Sequence, residues 1–251
     1  PHITFEDTEH ASLNTLLYKN FSDMIITPSS YYRDLGKNHF RMNTYMELFY
    51  LHKDIFSAQK NIVKGYGIDV DKPYVIFRFV SWGAFHDIGQ KGISYNDKIN
   101  FISEVEKYCK LYISSESDLP KDLEKYKLDI NPIDMHDIIA YSSLYIGEGG
   151  TMASECAMLG IPSIYINSLP LMGYLKDAEN IGLLFHLSNK EMIIKKINQI
   201  LNNNQKFYIE LRNKMLSEKI NPLNYLLWII DNYPESKNIL LKNNNYQNRF
   251  I

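Results

Sequence analysis

Between about residues 72 and 188, short apolar runs alternate with longer stretches of helical spacing, which restricts the chain to an α/β architecture. The strand-like runs are Tyr74–Val80, Leu111–Ser114, Leu144–Gly147, Ser163–Asn167 and Leu183–Leu187. The spacing between them predicts helices over Asn96–Cys109, Met135–Tyr141, Thr151–Leu159 and Leu175–Asn180. Each strand run is continuously apolar, as a sheet covered on both faces requires. A doubly wound parallel sheet is the expected result.

The flanks read differently. Ile3–Phe5, a helical stretch over His10–Tyr18 and Met24–Thr27 make one βαβ-like unit, too small to bury its own sheet. The stretch from there through Tyr50-Leu51-His52 reads as a connector. After Asn189 the spacing predicts helices over Asn189–Leu201, Gln205–Leu216 and Pro222–Asn232, then a polar tail that frays. The expected division is 1–60, 61–190 and 191–251. The chain opens on Pro1 rather than methionine, and the first block is expected to be the remnant of a truncated Rossmann-like domain.

Composition excludes several function classes. At 251 residues and 45% hydrophobic content the chain can bury a sizeable core without disulfides. Its net charge of −2, with acids and bases well mixed, lacks the basic stripe that nucleic-acid binding requires. No apolar run reaches the roughly 20 residues of a spanning helix, and Pro1–Phe5 lacks the charged and apolar regions of a secretion signal. Cys109 and Cys156 both fall in apolar helical patterns and are expected as buried, reduced thiols. A cytoplasmic protein is expected, with the inner face of the membrane as an alternative. No His, Cys, Asp and Glu set has metal-ligand spacing, and neither metal nor cofactor is expected.

The strongest local signal is Gly147-Glu148-Gly149-Gly150-Thr151, which closes the Leu144–Gly147 strand and opens a helix. In parallel α/β sheets ligands sit beyond the carboxyl ends of the strands. Glycines let the backbone approach a ligand, and the first amides of the helix present the positive end of its dipole, which suits a phosphate. Met152, Cys156 and Leu159 form the stripe expected to be buried. Thr151 and Glu155 share another face, with Thr151 placed to reach a phosphate and Glu155 to accept hydrogen bonds from ribose hydroxyls. Gly160-Ile161-Pro162 ends the helix. The bland alternative is a tight strand-to-helix turn with Glu155 in solvent.

The full string Gly-Gly-Thr-Met-Ala-Ser-Glu-Cys-Ala-Met-Leu-Gly-Ile-Pro over 149–162 resembles the nucleotide-sugar signature of GT-B proteins. Glu6-Asp7-Thr8-Glu9-His10, Ile26-Thr27-Pro28, Tyr50-Leu51-His52, the run Arg78 to Asp87 and Ser114-Ser115-Glu116 resemble one narrower group. This is a bacterial and archaeal family of unknown function, regarded as predicted glycosyltransferases and akin to non-hydrolysing UDP-GlcNAc 2-epimerases. The resemblance spans about residues 1–190. It implies a GT-B-like fold, Glu155 as the ribose ligand, and Gly149, Gly150 and Thr151 lining the pyrophosphate. Members of that family look longer at the N-terminus.

Other polar groups remain open between two readings. Arg78 lies on a strand, where burial needs an anion or a carboxylate; His86 and Asp87 come next, in the loop after it. They suit a diphosphate or a proton shuttle, or else Arg78 is a structural ion pair and His86 an ordinary loop residue. Glu6, Asp7, Glu9 and His10 crowd a strand-to-helix junction, where acids commonly cap. Glu9 or His10 as general base or acceptor ligand is the alternative. His136 opens a short helix where GT-B proteins often hold the nucleobase, and an exposed helix-start histidine is the bland reading. The catalytic candidates are therefore Glu9, His10 and His86, and the binding candidates Arg78, Asp87, His136, Gly149, Gly150, Thr151 and Glu155.

Three functions compete. One is glycosyl transfer from a nucleoside-diphosphate sugar, UDP-linked, to a glycan or lipid-linked acceptor in surface polysaccharide assembly. The second is 2-epimerase-like elimination and re-addition, and the third an idle nucleotide-sugar or partner-binding module. A truncated first domain would also expose apolar surface and invite homo-oligomers.

Overall fold

The computed structural model describes residues 1–10, 12–79, 93–115 and 117–251. His86 and Asp87, with Trp82 and Glu116, lie outside them. The chain divides into two compact units, one of residues 1–56, 171–177 and 214–251, the other of residues 57–170 and 178–213.

The larger unit holds five parallel strands: β4 (Tyr74–Phe79), β5 (Lys110–Ser115), β6 (Leu144–Gly147), β7 (Ser163–Tyr165) and β8 (Leu184–His186). Their order, β5-β4-β6-β7-β8, reverses direction between β4 and β6, so the sheet is doubly wound. Its helices are α3 (Lys60–Gly65), α4 (Tyr95–Glu106), α5 (Met135–Ala140), α6 (Gly150–Leu159), α8 (Lys190–Leu201) and α9 (Gln205–Leu216). Helix α4 packs on α8, while α5 packs on α3 and α6. Every residue of β6 and β7 is buried, which is why those runs show no polar alternation. The expected elements are all present, most with ends shifted by a residue or two. Cys156 is buried, but Cys109 is half-buried in the turn after α4, and both thiols are unbridged.

The other unit is a three-stranded parallel sheet, ordered β1 (Ile3–Phe5), β2 (Met24–Pro28) and β3 (His39–Met42). Helix α1 (Ser12–Tyr18) crosses between the first two strands, and the short α2 (Leu48–Leu51) comes after the third. Strand β3 lies in the stretch read as connector. Its alternating His39 and Arg41 hide it from an apolar count, yet both are satisfied locally. His39 meets Thr27 Oγ1 and the Leu35 amide, and Arg41 donates to the carbonyls of Tyr31 and Arg33.

One sheet face, with Met24, Ile26, Phe40 and Met42, packs on Ile220, Tyr225, Ile229 and Leu240. Those residues come from the C-terminal segment that includes α10 (Pro222–Asp231) and α11 (Glu235–Lys242), the latter absent from the sequence reading. Nor does the polar ending fray. Gln247 is buried and bridges the end of β3, accepting from the Asn43 amide at 2.7 Å and donating to the Arg41 carbonyl at 3.0 Å. Phe250 and Tyr246 pack their rings at a tilt against Trp228. Two aromatic anchors and one amide fix a segment whose composition is that of a loop.

Candidate functional site

The topology locates the site before any side chain does. Between β4 and β6 the connections leave to opposite sides, and the crevice at the carboxyl ends of those two strands is where doubly wound sheets bind ligands. Across all five strands one row of partners lies at that edge: Ser114, Arg78, Gly147, Tyr165 and His186. Partners in a parallel register project from the same face. Accordingly Arg78 Nη1 donates to Ser114 Oγ, and Tyr165 stacks on His186 with ring centroids 5.4 Å apart.

Gly147, in the middle of the row, has a steric reason to be glycine. A β-carbon there would fall 2.3 Å from the Tyr145 phenol oxygen and 3.1 Å from Arg78 Cβ. The Tyr145 ring, two residues earlier on the same face, fills that space and is fully buried. Its hydroxyl has no hydrogen-bond partner among the described residues, and burial pushes its pKa well above the usual phenol range. Gly147→Ala is expected to cost about 1–3 kcal/mol by overpacking, read as a lower urea midpoint.

Helix α6 begins at once. Its N-cap is Gly149, extended at φ −90° and ψ 122°, and among the described residues no side chain caps it. The caps of α4, α8 and α10 are the side chains of Ser94, Asn189 and Asn221. The amides of the first turn of α6 thus keep their dipole end for another acceptor. Thr151 is exposed there, while Ala153 to Leu159 are all buried. The stripe of Met152, Cys156 and Leu159 is therefore too narrow: the helix is enclosed on nearly every side, Met152 being only half-buried. At the other end Gly160, at φ +77°, closes the helix in the left-handed region, as expected.

Glu155 is not the solvated residue of the bland reading. It is 9% exposed, and its Oε1 lies 3.1 Å from His136 Nε2. Two candidates nominated for separate reasons thus meet, one turn inside α6 and at the start of α5. An adjoining network escaped the sequence reading. Glu148, 3% exposed, accepts the Ile93 amide at 2.6 Å, while its backbone carbonyl receives Asn167 Nδ2 at 3.3 Å. The Asn167 carbonyl in turn lies 2.7 Å from His186 Nε2. The only sequence signal was an acid between two glycines at a strand end.

The family model described as "Protein of unknown function (DUF354)" matches residues 1–227. The chain belongs to the DUF354 family. That agrees with the resemblance carried by the Glu6–His10, Arg78–Asp87 and Gly149–Pro162 segments. No curated protein matches the sequence. Among solved structures, the DUF354 chain is similar to the S. aureus protein MnaA in its co-structure with UDP, at 13% identity and TM-score 0.56, over 93% of this chain and 76% of that one. A putative UDP-N-acetylglucosamine 2-epimerase from Listeria monocytogenes is similar at 15% identity and TM-score 0.53, over 93% and 74%. The spinosyn rhamnosyltransferase SpnG, complexed with spinosyn aglycone, is similar at 13% and 0.53, over 84% and 57%, so the chain spans less than two thirds of that enzyme. These likenesses establish a fold similar to GT-B glycosyltransferases and epimerases. Among the described residues no helix is long and apolar enough to cross a membrane, and no three His, Cys, Asp or Glu side chains could hold a metal ion.

Glu9 and His10 belong to the smaller unit. His10 is exposed; Glu9 is 3% exposed. Glu9 Oε1 accepts the amides of Tyr32 at 3.3 Å and Gly173 at 3.0 Å, and its Oε2 is buried with no hydrogen-bond partner among the described residues. Gly173 opens α7 (Gly173–Ile181), so the carboxylate caps a helix from a distant segment. Neighbouring Glu6 is spent locally on the amides of Asp7 and Thr8 and on the Tyr18 hydroxyl.

Burial raises the Glu9 pKa above the ordinary 4.5, against the amides that lower it; burial raises that of Asp7 likewise. A carboxyl that holds its proton more tightly when folded contributes stability below its unfolded value, and that contribution is lost as pH rises through the folded value. The contribution of these two carboxyls is therefore expected to fall as pH rises above about 4.5, and Glu9→Gln to remove part of that fall. Thermal midpoints of both proteins from pH 4 to 8 are the check. Parallel profiles would remove Glu9 as a source.

Proposed function

We propose that the chain carries the nucleotide site of a glycosyltransferase that uses a nucleoside-diphosphate sugar, UDP-linked, as donor in surface polysaccharide or glycoconjugate assembly. One observation carries the reading: a helix start that no described side chain caps, at the switch point of a doubly wound sheet, with a buried carboxylate one turn in. In this reading the amides of Gly150 and Thr151, with the Thr151 hydroxyl, take the diphosphate. Glu155 accepts from ribose hydroxyls, held in place by His136, which also flanks the base. Arg78 completes the donor pocket, and Asp87 is a further binding candidate read from the sequence. UDP in the MnaA co-structure and the sugar transfer named for SpnG support this on a shared fold.

The reaction is set by those groups. An acceptor hydroxyl oxygen attacks the anomeric carbon, the bond from that carbon to the diphosphate oxygen breaks, and its electron pair leaves on the diphosphate. The helix dipole and the Arg78 guanidinium stabilise that developing charge. The acceptor proton passes to a base, for which His86 is the candidate read from the sequence.

The test is incubation of the protein with a panel of UDP-sugars, with and without glycan or lipid-linked acceptors, and then product analysis. Free UDP formed only with an acceptor is the expected outcome. An altered sugar without acceptor would indicate 2-epimerase chemistry instead, and binding without turnover a binding module. If neither UDP nor any UDP-sugar binds, the reading falls.

A further inference from the structure

Tyr145 carries a polar group that the fold does not use. Its side chain is wholly buried in β6, yet its hydroxyl has no hydrogen-bond partner among the described residues. A buried hydroxyl left unpaired costs stability, so phenylalanine at this position would fold better. The neighbouring strand shows both usual solutions. On β4 the buried Tyr74 donates to the Ile138 carbonyl at 2.5 Å, while the buried positions 77 and 79 are phenylalanine. A residue that departs from what folding favours points to a demand outside folding.

The place of the hydroxyl says what that demand is. A β-carbon on Gly147 would fall 2.3 Å from this oxygen, so the phenol tip takes the position that a side chain at 147 would occupy. It therefore stands in the row at the carboxyl edge of the sheet, between Arg78 on β4 and Tyr165 on β7. Gly147 is also the last residue of β6, two before the N-cap of α6. Cys156, Arg78, Glu155 and Glu148 all act on the phenol electrostatically, which sets it among the groups of the crevice. The two carboxylates are turned to other partners, Glu148 to the Ile93 amide and Glu155 to His136. Burial raises the phenol pKa, so at neutral pH the group keeps its proton and is a donor.

We propose that the Tyr145 hydroxyl belongs to the nucleotide site, where it donates a hydrogen bond to an oxygen of the diphosphate seated on the first turn of α6. The inference rests on the nucleotide reading above and adds to it a neutral donor from the floor of the crevice. Gly147, Gly149 and Gly150 leave the strand-to-helix turn almost without side chains, and bare backbone of that kind lets a phosphate approach the strand end closely. Screened from bulk water, a hydrogen bond from a phenol to a phosphate oxygen is stronger than one at the surface. The ligand thus supplies the partner that the fold alone withholds.

Tyr145→Phe tests this in two states. Without ligand the variant is expected to have a urea midpoint equal to or above that of the wild type, because no hydrogen bond is lost. Its affinity for UDP, measured by isothermal titration calorimetry, is expected to fall about tenfold or more, the scale of a hydrogen bond to a charged acceptor. Affinity for uridine, which lacks the phosphates, is expected to stay unchanged. A lower urea midpoint, or a variant that does not fold, would reveal a structural partner such as an internal water and overturn the assignment. An equal loss of affinity for uridine would overturn it as well. Unchanged affinity for UDP would overturn the assignment alone, whereas a wild-type protein that binds no UDP would remove the nucleotide reading and the assignment together.

Discussion

Glu155→Ala is expected to weaken binding of UDP, measured by isothermal titration calorimetry, by roughly 10- to 150-fold. The figure comes from losing hydrogen bonds from ribose hydroxyls to a buried charged acceptor, about 1.5–3 kcal/mol, with 1.4 kcal/mol for each factor of ten. The carboxylate is 9% exposed and paired with His136 at 3.1 Å, so it is already oriented before any ligand arrives. His136→Ala should have a smaller effect. In a double-mutant cycle the two substitutions should fall short of additivity, because each removes what orients the other. Circular dichroism separates this from unfolding. A Glu155→Ala protein that folds and binds UDP as tightly as wild type would remove Glu155 from the nucleotide site.

Gly173→Ala should cost about 3 kcal/mol or more of folding stability, at the upper end for overpacking. A β-carbon at Gly173 would stand 2.0 Å from the Ser30 carbonyl oxygen and 2.8 Å from Glu9 Oε1. Neither can yield cheaply. The chain around Ser30 is tied by hydrogen bonds from the Ser29 amide to the Met42 carbonyl and from the Tyr31 amide to the Pro28 carbonyl. Glu9 is held between the amides of Tyr32 and Gly173. The smallest possible substitution therefore separates α7 from the loop after β2 and strands a buried carboxylate. Urea denaturation monitored by tyrosine and tryptophan fluorescence gives the loss directly. A stability equal to wild type would show that the contact is looser than these distances imply.

Legibility in the sequence tracked the range of the interactions. The β6 strand, the Gly149-Gly150 turn, α6 and the Gly160 stop could be read at once because every determinant lies within about twenty residues. Strand β3 could not, because its alternation of His39 and Arg41 becomes favourable only through Thr27, Tyr31 and Arg33. The C-terminal segment was unreadable for a related reason. An asparagine-rich stretch has the composition of a loop until Gln247 finds the end of β3, more than 200 residues earlier in the chain.

What the sequence by itself determined is the parallel α/β architecture and the strand-Gly-Gly-helix element, both set by local periodicity and turn chemistry, while its motif segments carry the likeness to the family. Only the tertiary structure decided that Glu155 turns inward to His136 rather than outward to water. It alone decided that Glu148 and Asn167 join the same strand edge, and that Glu9 caps a helix 164 residues away. The physical reason is common to all three. A buried polar group must find its partner wherever the fold brings one, and sequence spacing carries no record of that distance.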